Sequence, residues 1–144
     1  MSRIITPVHI APVCGHPVRF FRSPRAGPDL PWHAVEDLYA AARLPGELRR
    51  RMMRMTRSFE GGVDSVTIAT TEGPLVIGAH SLAQGFIGAL QEIDLLPDGF
   101  GQQYTRAGAQ TLGVLTASLS LEEVVAFVSA AAKKAGSPEI GGAA

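Results

Sequence analysis

The chain of 144 residues balances 13 basic against 13 acidic side chains, is 46% apolar and carries one cysteine. That length suits a single domain with a modest core, and the apolar content excludes a wholly disordered chain. The lone Cys14 excludes a disulfide framework and a four-cysteine zinc site.

The opening Met1–Pro7 lacks the continuous apolar run of a secretory signal. Residues 4–10 and 17–22 read as short strands, since Val8, Ile10, Val18, Phe20 and Phe21 favour extended backbone. Pro7, Pro12, Gly15 and Pro17 punctuate them. Ser23–Pro31 holds three prolines and reads as a loop. From His33 to Arg43 the pattern is helical, with Val35, Leu38, Tyr39 and Ala42 on one face, and Pro45-Gly46 interrupts it.

A second helix is expected over 47–59. Leu48, Met52, Met55 and Phe59 form a narrow apolar face, Arg50, Arg54 and Arg57 lie opposite, and Arg49 and Arg51 flank them. Gly61-Gly62 supplies its stop. Ser65–Thr70 and 74–77 bracket Thr71-Glu72-Gly73 as a β-hairpin. The next helix opens on a capping-box pattern, Ser81 to Gln84, with Leu82, Phe86, Ala89, Leu90 and Ile93 as its apolar face. Residues 98–118 are ambiguous, because four glycines weaken a helix that 107–119 otherwise supports. A last helix begins with a second capping box, Ser120 to Glu123, and its expected core face is Leu121, Val124, Val125 and Val128. From Gly136 onward the chain reads as a frayed tail. The expected fold class is α+β: a small antiparallel sheet or hairpins packed with four to five helices, one domain over 1–135 followed by the tail 136–144.

The neutral sum conceals an uneven distribution. Residues 1–57 hold ten arginines against four acids, and residues 58–144 hold three basic residues against nine acids. Six arginines (Arg43, Arg49, Arg50, Arg51, Arg54 and Arg57) fall within fifteen residues that contain one acid, Glu47. Crowded guanidinium groups repel one another unless carboxylates or anionic ligands lie nearby. These six are the candidate DNA-binding residues, because guanidinium binds phosphate bidentately. Pairing with Glu92, Asp94 or Asp98, a solvated face, and an acidic protein partner are the other readings. Thr56 and Ser58 are either phosphate donors or ordinary solvated hydroxyls. The helix, Pro-Gly break and second helix are also the order of a helix-turn-helix, which many αα-hairpins share.

Trp32-His33-Ala34-Val35-Glu36-Asp37-Leu38 resembles the Trp-Phe-Val-Ala-x-Asp-Val segment of the BRO-N domain of phage and baculovirus antirepressor-type proteins. Val18–Arg22 resembles that family's opening strand, and Ser65 to Ile77 with the Ser81 helix resembles its hairpin and next helix. The resemblance covers roughly residues 17–96, with His33 in place of the family's Phe. It implies DNA binding and transcriptional regulation of phage or mobile-element type.

Catalytic and metal signals are weak. Cys14-Gly15-His16 has no second ligand pair at metal spacing, and no nucleophile elbow, phosphate loop or dinucleotide fingerprint is present. Glu36/Asp37 and Glu122/Glu123 are explained by helix starts. The expectation is a cytoplasmic, non-enzymatic protein without cofactor or metal and without a membrane span, binding duplex DNA as a monomer or homodimer. The alternative is a small protein–protein interaction module that uses the same basic helix.

Overall fold

The computed structural model describes residues 3–58 and 64–135, and its first element is a hairpin of β1 (His9–Val13) and β2 (His16–Phe21). Cys14 and Gly15 form its turn, at φ 49° and 80°. Two positive φ values give a turn whose twist matches that of the strands. A two-residue turn makes Val13 and His16 the hydrogen-bonded rung, so the paired Pro12 and Pro17 fall on the next, non-bonded rung. The prolines therefore sit inside the strands rather than between them. The expected strand over 4–10 is corrected to His9–Val13, and Ile4 makes only an isolated bridge to Ala69.

After the loop, β3 (Trp32–Ala34) runs directly into α1 (Val35–Ala41). The helix expected from His33 thus begins at Val35, because Trp32 and His33 pair with Phe21 and Phe20 of β2. Arg43, at φ 56°, turns the chain before Leu44 and Pro45. Then come α2 (Gly46–Ser58), β4 (Ser65–Thr70), β5 (Gly73–Gly78), α3 (His80–Glu92), α4 (Phe100–Leu115) and α5 (Leu121–Ala135). The sheet order is β1-β2-β3-β5-β4, with every neighbouring pair antiparallel. The fold is α+β, a five-stranded antiparallel sheet with helices packed against it.

Strand alternation divides the core. Phe20 and His33 face the helices, where Phe20, Val18, Leu38, Tyr39, Phe86, Phe100 and Tyr104 form the larger cluster. Phe21 and Trp32 face the other way and pack with Ile68, Leu75 and Ile77 under Ile5. The Tyr104 ring lies 5.9 Å from His33, edge-on, and 5.7 Å from His80, stacked. Burial is the main cause that lowers both histidines, His33 to about 3, with the neighbouring His80 lowering it further. Burial also pushes the Tyr104 phenol up.

Three helix expectations change. No side chain caps α3; Ser81 Oγ donates to Asp64 and the Gln84 amide meets His80. Its buried face is Ala83, Phe86, Ile87 and Leu90, while Ile93 is exposed. The ambiguous glycine-bearing stretch is helical from Phe100, because Phe100, Tyr104, Ala107 and Thr111 bury one continuous face that outweighs the glycines. In α5 the capping box forms, with Glu123 N donating to Ser120 Oγ at 3.2 Å and Ser120 N to Glu123 Oε1 at 2.8 Å. The expected core face does not form: Leu121 is 79% exposed and Val125 58%. The Gly61-Gly62 stop, Phe59 and the tail 136–144 lie outside the described residues.

Candidate nucleic-acid interface

The first turn of α2 closes through Arg49 N to the Pro45 carbonyl at 2.9 Å. Leu48, Met52 and Met53 then pack half-buried against the larger core cluster. Thr56 is the buried residue of the helix. Its Oγ1 donates to the Met52 carbonyl at 2.8 Å and lies 2.7 Å from the Tyr39 hydroxyl. The inward face is therefore Leu48, Met52, Met53 and Thr56, and Met55, expected inside, is 50% exposed. A threonine that returns its own hydrogen bond to the helix takes the inward place, so the apolar spacing misled by one position. Neither hydroxyl at this end is a solvated donor, because Ser58 Oγ also turns back, to the Met55 carbonyl at 2.6 Å.

That rotation decides where the arginines point. Arg49, Arg50, Arg54 and Arg57, with Met53, form one wall of an open cleft of about 610 Å³. Glu36, Asp37 and Ala40 of α1 and Arg19 of β2 form the rest. Arg51 is exposed but lies outside this cleft. Arg43 is separate from the group: its Nη2 donates to the Cys14 carbonyl at 3.2 Å, so it braces the β1–β2 turn. Four of the six candidate arginines are brought together, and two are not.

The acids of the cleft are already engaged. Asp37 accepts Arg19 Nε at 2.8 Å and Nη2 at 3.0 Å, and also the Arg19 backbone amide at 3.0 Å. Glu72 lies 3.3 Å and Glu36 3.6 Å from the same guanidinium. The hydrogen bond to Asp37 is the largest of the causes that hold Arg19 above its ordinary pKa. Among the described residues, no carboxylate lies within ion-pair distance of Arg49, Arg50, Arg51, Arg54 or Arg57. Glu92, Asp94 and Asp98 do not neutralise the helix. The cleft thus keeps an excess of positive charge, with four exposed guanidinium groups over a short apolar floor.

No family model, curated protein or solved structure matches this chain. Its chemistry is carried by the geometry alone. Arg19, the centre of the acid cluster, was not a candidate in the sequence. Nothing in a strand's alternation reveals that three carboxylates converge on it. Among the described residues no three His, Cys, Asp or Glu side chains gather as a metal ion would need, and no helix is long and apolar enough to cross a membrane.

Proposed function

We propose that the protein is a DNA-binding regulator that grips the phosphate backbone of duplex DNA through α2. One observation carries this reading: Arg49, Arg50, Arg54 and Arg57 share a solvent-open cleft with no acid paired to them among the described residues. Each guanidinium offers a planar fork of donors that matches two phosphate oxygens. Four of them along one helix follow a charged backbone better than they bind one small anion. The succession of α1, a short break and α2 supports the same reading, as does the resemblance of residues 17–96 to the BRO-N domain, which points to regulation of phage or mobile-element type.

Fluorescence anisotropy with a generic duplex across a salt series tests it. Binding should weaken linearly with the logarithm of salt, and Arg50→Ala with Arg54→Ala should lower that slope by about two. Absence of binding at low salt, or a double variant that binds like the parent, overturns the reading. Capture of an acidic protein without any DNA affinity would assign the same helix to protein–protein interaction.

A further inference from the structure

Helix α5 presents two faces of different fate. Val124 and Phe127 are half-buried, Ala131 is fully buried, and Lys134 Nζ donates to the Ala26 carbonyl at 2.6 Å, so this face docks on the domain. A second apolar stripe (Leu121, Val125, Val128 and Ala132) lies roughly 110° further round the helix. It is open to solvent: Leu121 is 79% exposed, Val125 58% and Val128 37%. Its members recur at spacings of four, three and four, the spacing of a seam between paired helices. Three large apolar side chains in one exposed row are costly unless something covers them.

The charges flanking the stripe complement those of a second, antiparallel copy. Beside the seam, on the flank away from the domain, stand Glu122 at the start of the helix and Lys133 at its end, both exposed. Glu123, not Glu122, makes the capping box, so Glu122 adds only its charge to the helix start and its side chain is left exposed. In a parallel two-fold pair this flank of one helix lies across the seam from the same flank of the other, so Glu122 and Lys133 gain no counterpart. An antiparallel copy, related by a two-fold axis between Ala126 and Phe127, sets Glu122 near the partner's Lys133, and the reverse, on the same side of the seam. The same axis places Val125 beside the partner's Val128 and Leu121 beside the partner's Ala132.

We propose that a second copy of this chain packs antiparallel on the exposed stripe of α5, giving a two-fold homodimer with its seam at Leu121, Val125, Val128 and Ala132. The seam is one short helix long, so the dimer is a weak one that forms towards micromolar concentration and above. This surface is on a different element from the α2 cleft, and its test is independent of DNA binding.

Sedimentation equilibrium of the full chain, in a concentration series extending to millimolar, reads the association. The parent should show a monomer–dimer equilibrium, and Val125→Asp should weaken it by about tenfold or more. Because Val125 is already exposed, circular dichroism of that variant should match the parent. Glu122→Lys and Lys133→Glu should each weaken the dimer several-fold, and the double swap should restore it to within about twofold. The swap keeps both unfavourable helix-end charges, so restoration separates pairing across the seam from loss of helix. A chain that stays monomeric throughout, as it would if the tail or a different protein covers the stripe, overturns the proposal. A dimer indifferent to Val125→Asp, or one that the double swap fails to restore, overturns it as well.

Discussion

The Tyr39 hydroxyl and Thr56 Oγ1 lie 2.7 Å apart in the buried seam between α1 and α2. This contact joins the basic helix to the body through a polar pair, where the rest of its footing is Leu48 and the thioethers Met52 and Met53. Tyr39→Phe removes the pair while Thr56 keeps its bond to the Met52 carbonyl. The expected cost is about 1 kcal/mol of stability, read by thermal unfolding. DNA affinity should fall with it although no arginine has changed, because the cleft wall loses its anchor.

The arginines should not be equivalent. Alanine at Arg49, Arg50, Arg54 or Arg57 should each reduce the salt slope of DNA binding by about one. Arg51→Ala, outside the cleft, should leave most of the affinity intact. Arg43→Ala should alter stability rather than binding, since its guanidinium serves the Cys14 carbonyl. Anisotropy titrations of the six single variants separate these outcomes.

Asp37→Asn should move stability and binding in opposite directions. The carboxylate holds the Arg19 side chain and backbone amide together, and both partners are largely shielded from water. Loss of its charge should cost about 1–2 kcal/mol of stability. It also makes the cleft one unit more positive, so DNA should bind about threefold more tightly at low salt. A paired denaturant melt and anisotropy titration measure both.

Acid should unfold the protein through His33. Its folded value of about 3 lies below its ordinary 6.5, with burial as the main cause. The unfolded chain therefore takes up the proton first as pH falls. Stability that is whole above pH 6.5 is lost progressively down to about pH 3, by about 4–5 kcal/mol in total. His33→Phe keeps an aromatic ring against Tyr104 and should flatten this dependence in urea melts between pH 7 and pH 4.

How much of this was legible in the sequence depended on whether a signal was local. The arginine-bearing helix, the Ser65–Gly78 hairpin and the Ser120–Glu123 cap are written in neighbouring residues, and all three are present. His33 and Ala34 of β3 were read as helix because the strand has no length in which to show alternation, and pairing with β2 on one side and β5 on the other defines it. The inward face of α2 turned on Thr56, whose hydroxyl is satisfied by a tyrosine seventeen residues away. In α5, periodicity correctly gave an apolar face but could not say whether this chain would cover it. Of the candidate site, the four cleft arginines were visible as charge on one helix. The clamp of Arg19 by three acids was not, since it unites a strand, a helix and a hairpin turn.

The proline rung of the first hairpin has a wider consequence. Pro12 turns its missing amide outward along β1, and at the far side of the sheet the Ile5 amide occupies the Ala69 carbonyl of β4. Both outer strands are thereby poor templates for a visiting strand. Partners that recognise by backbone zippering find little to grip at either margin.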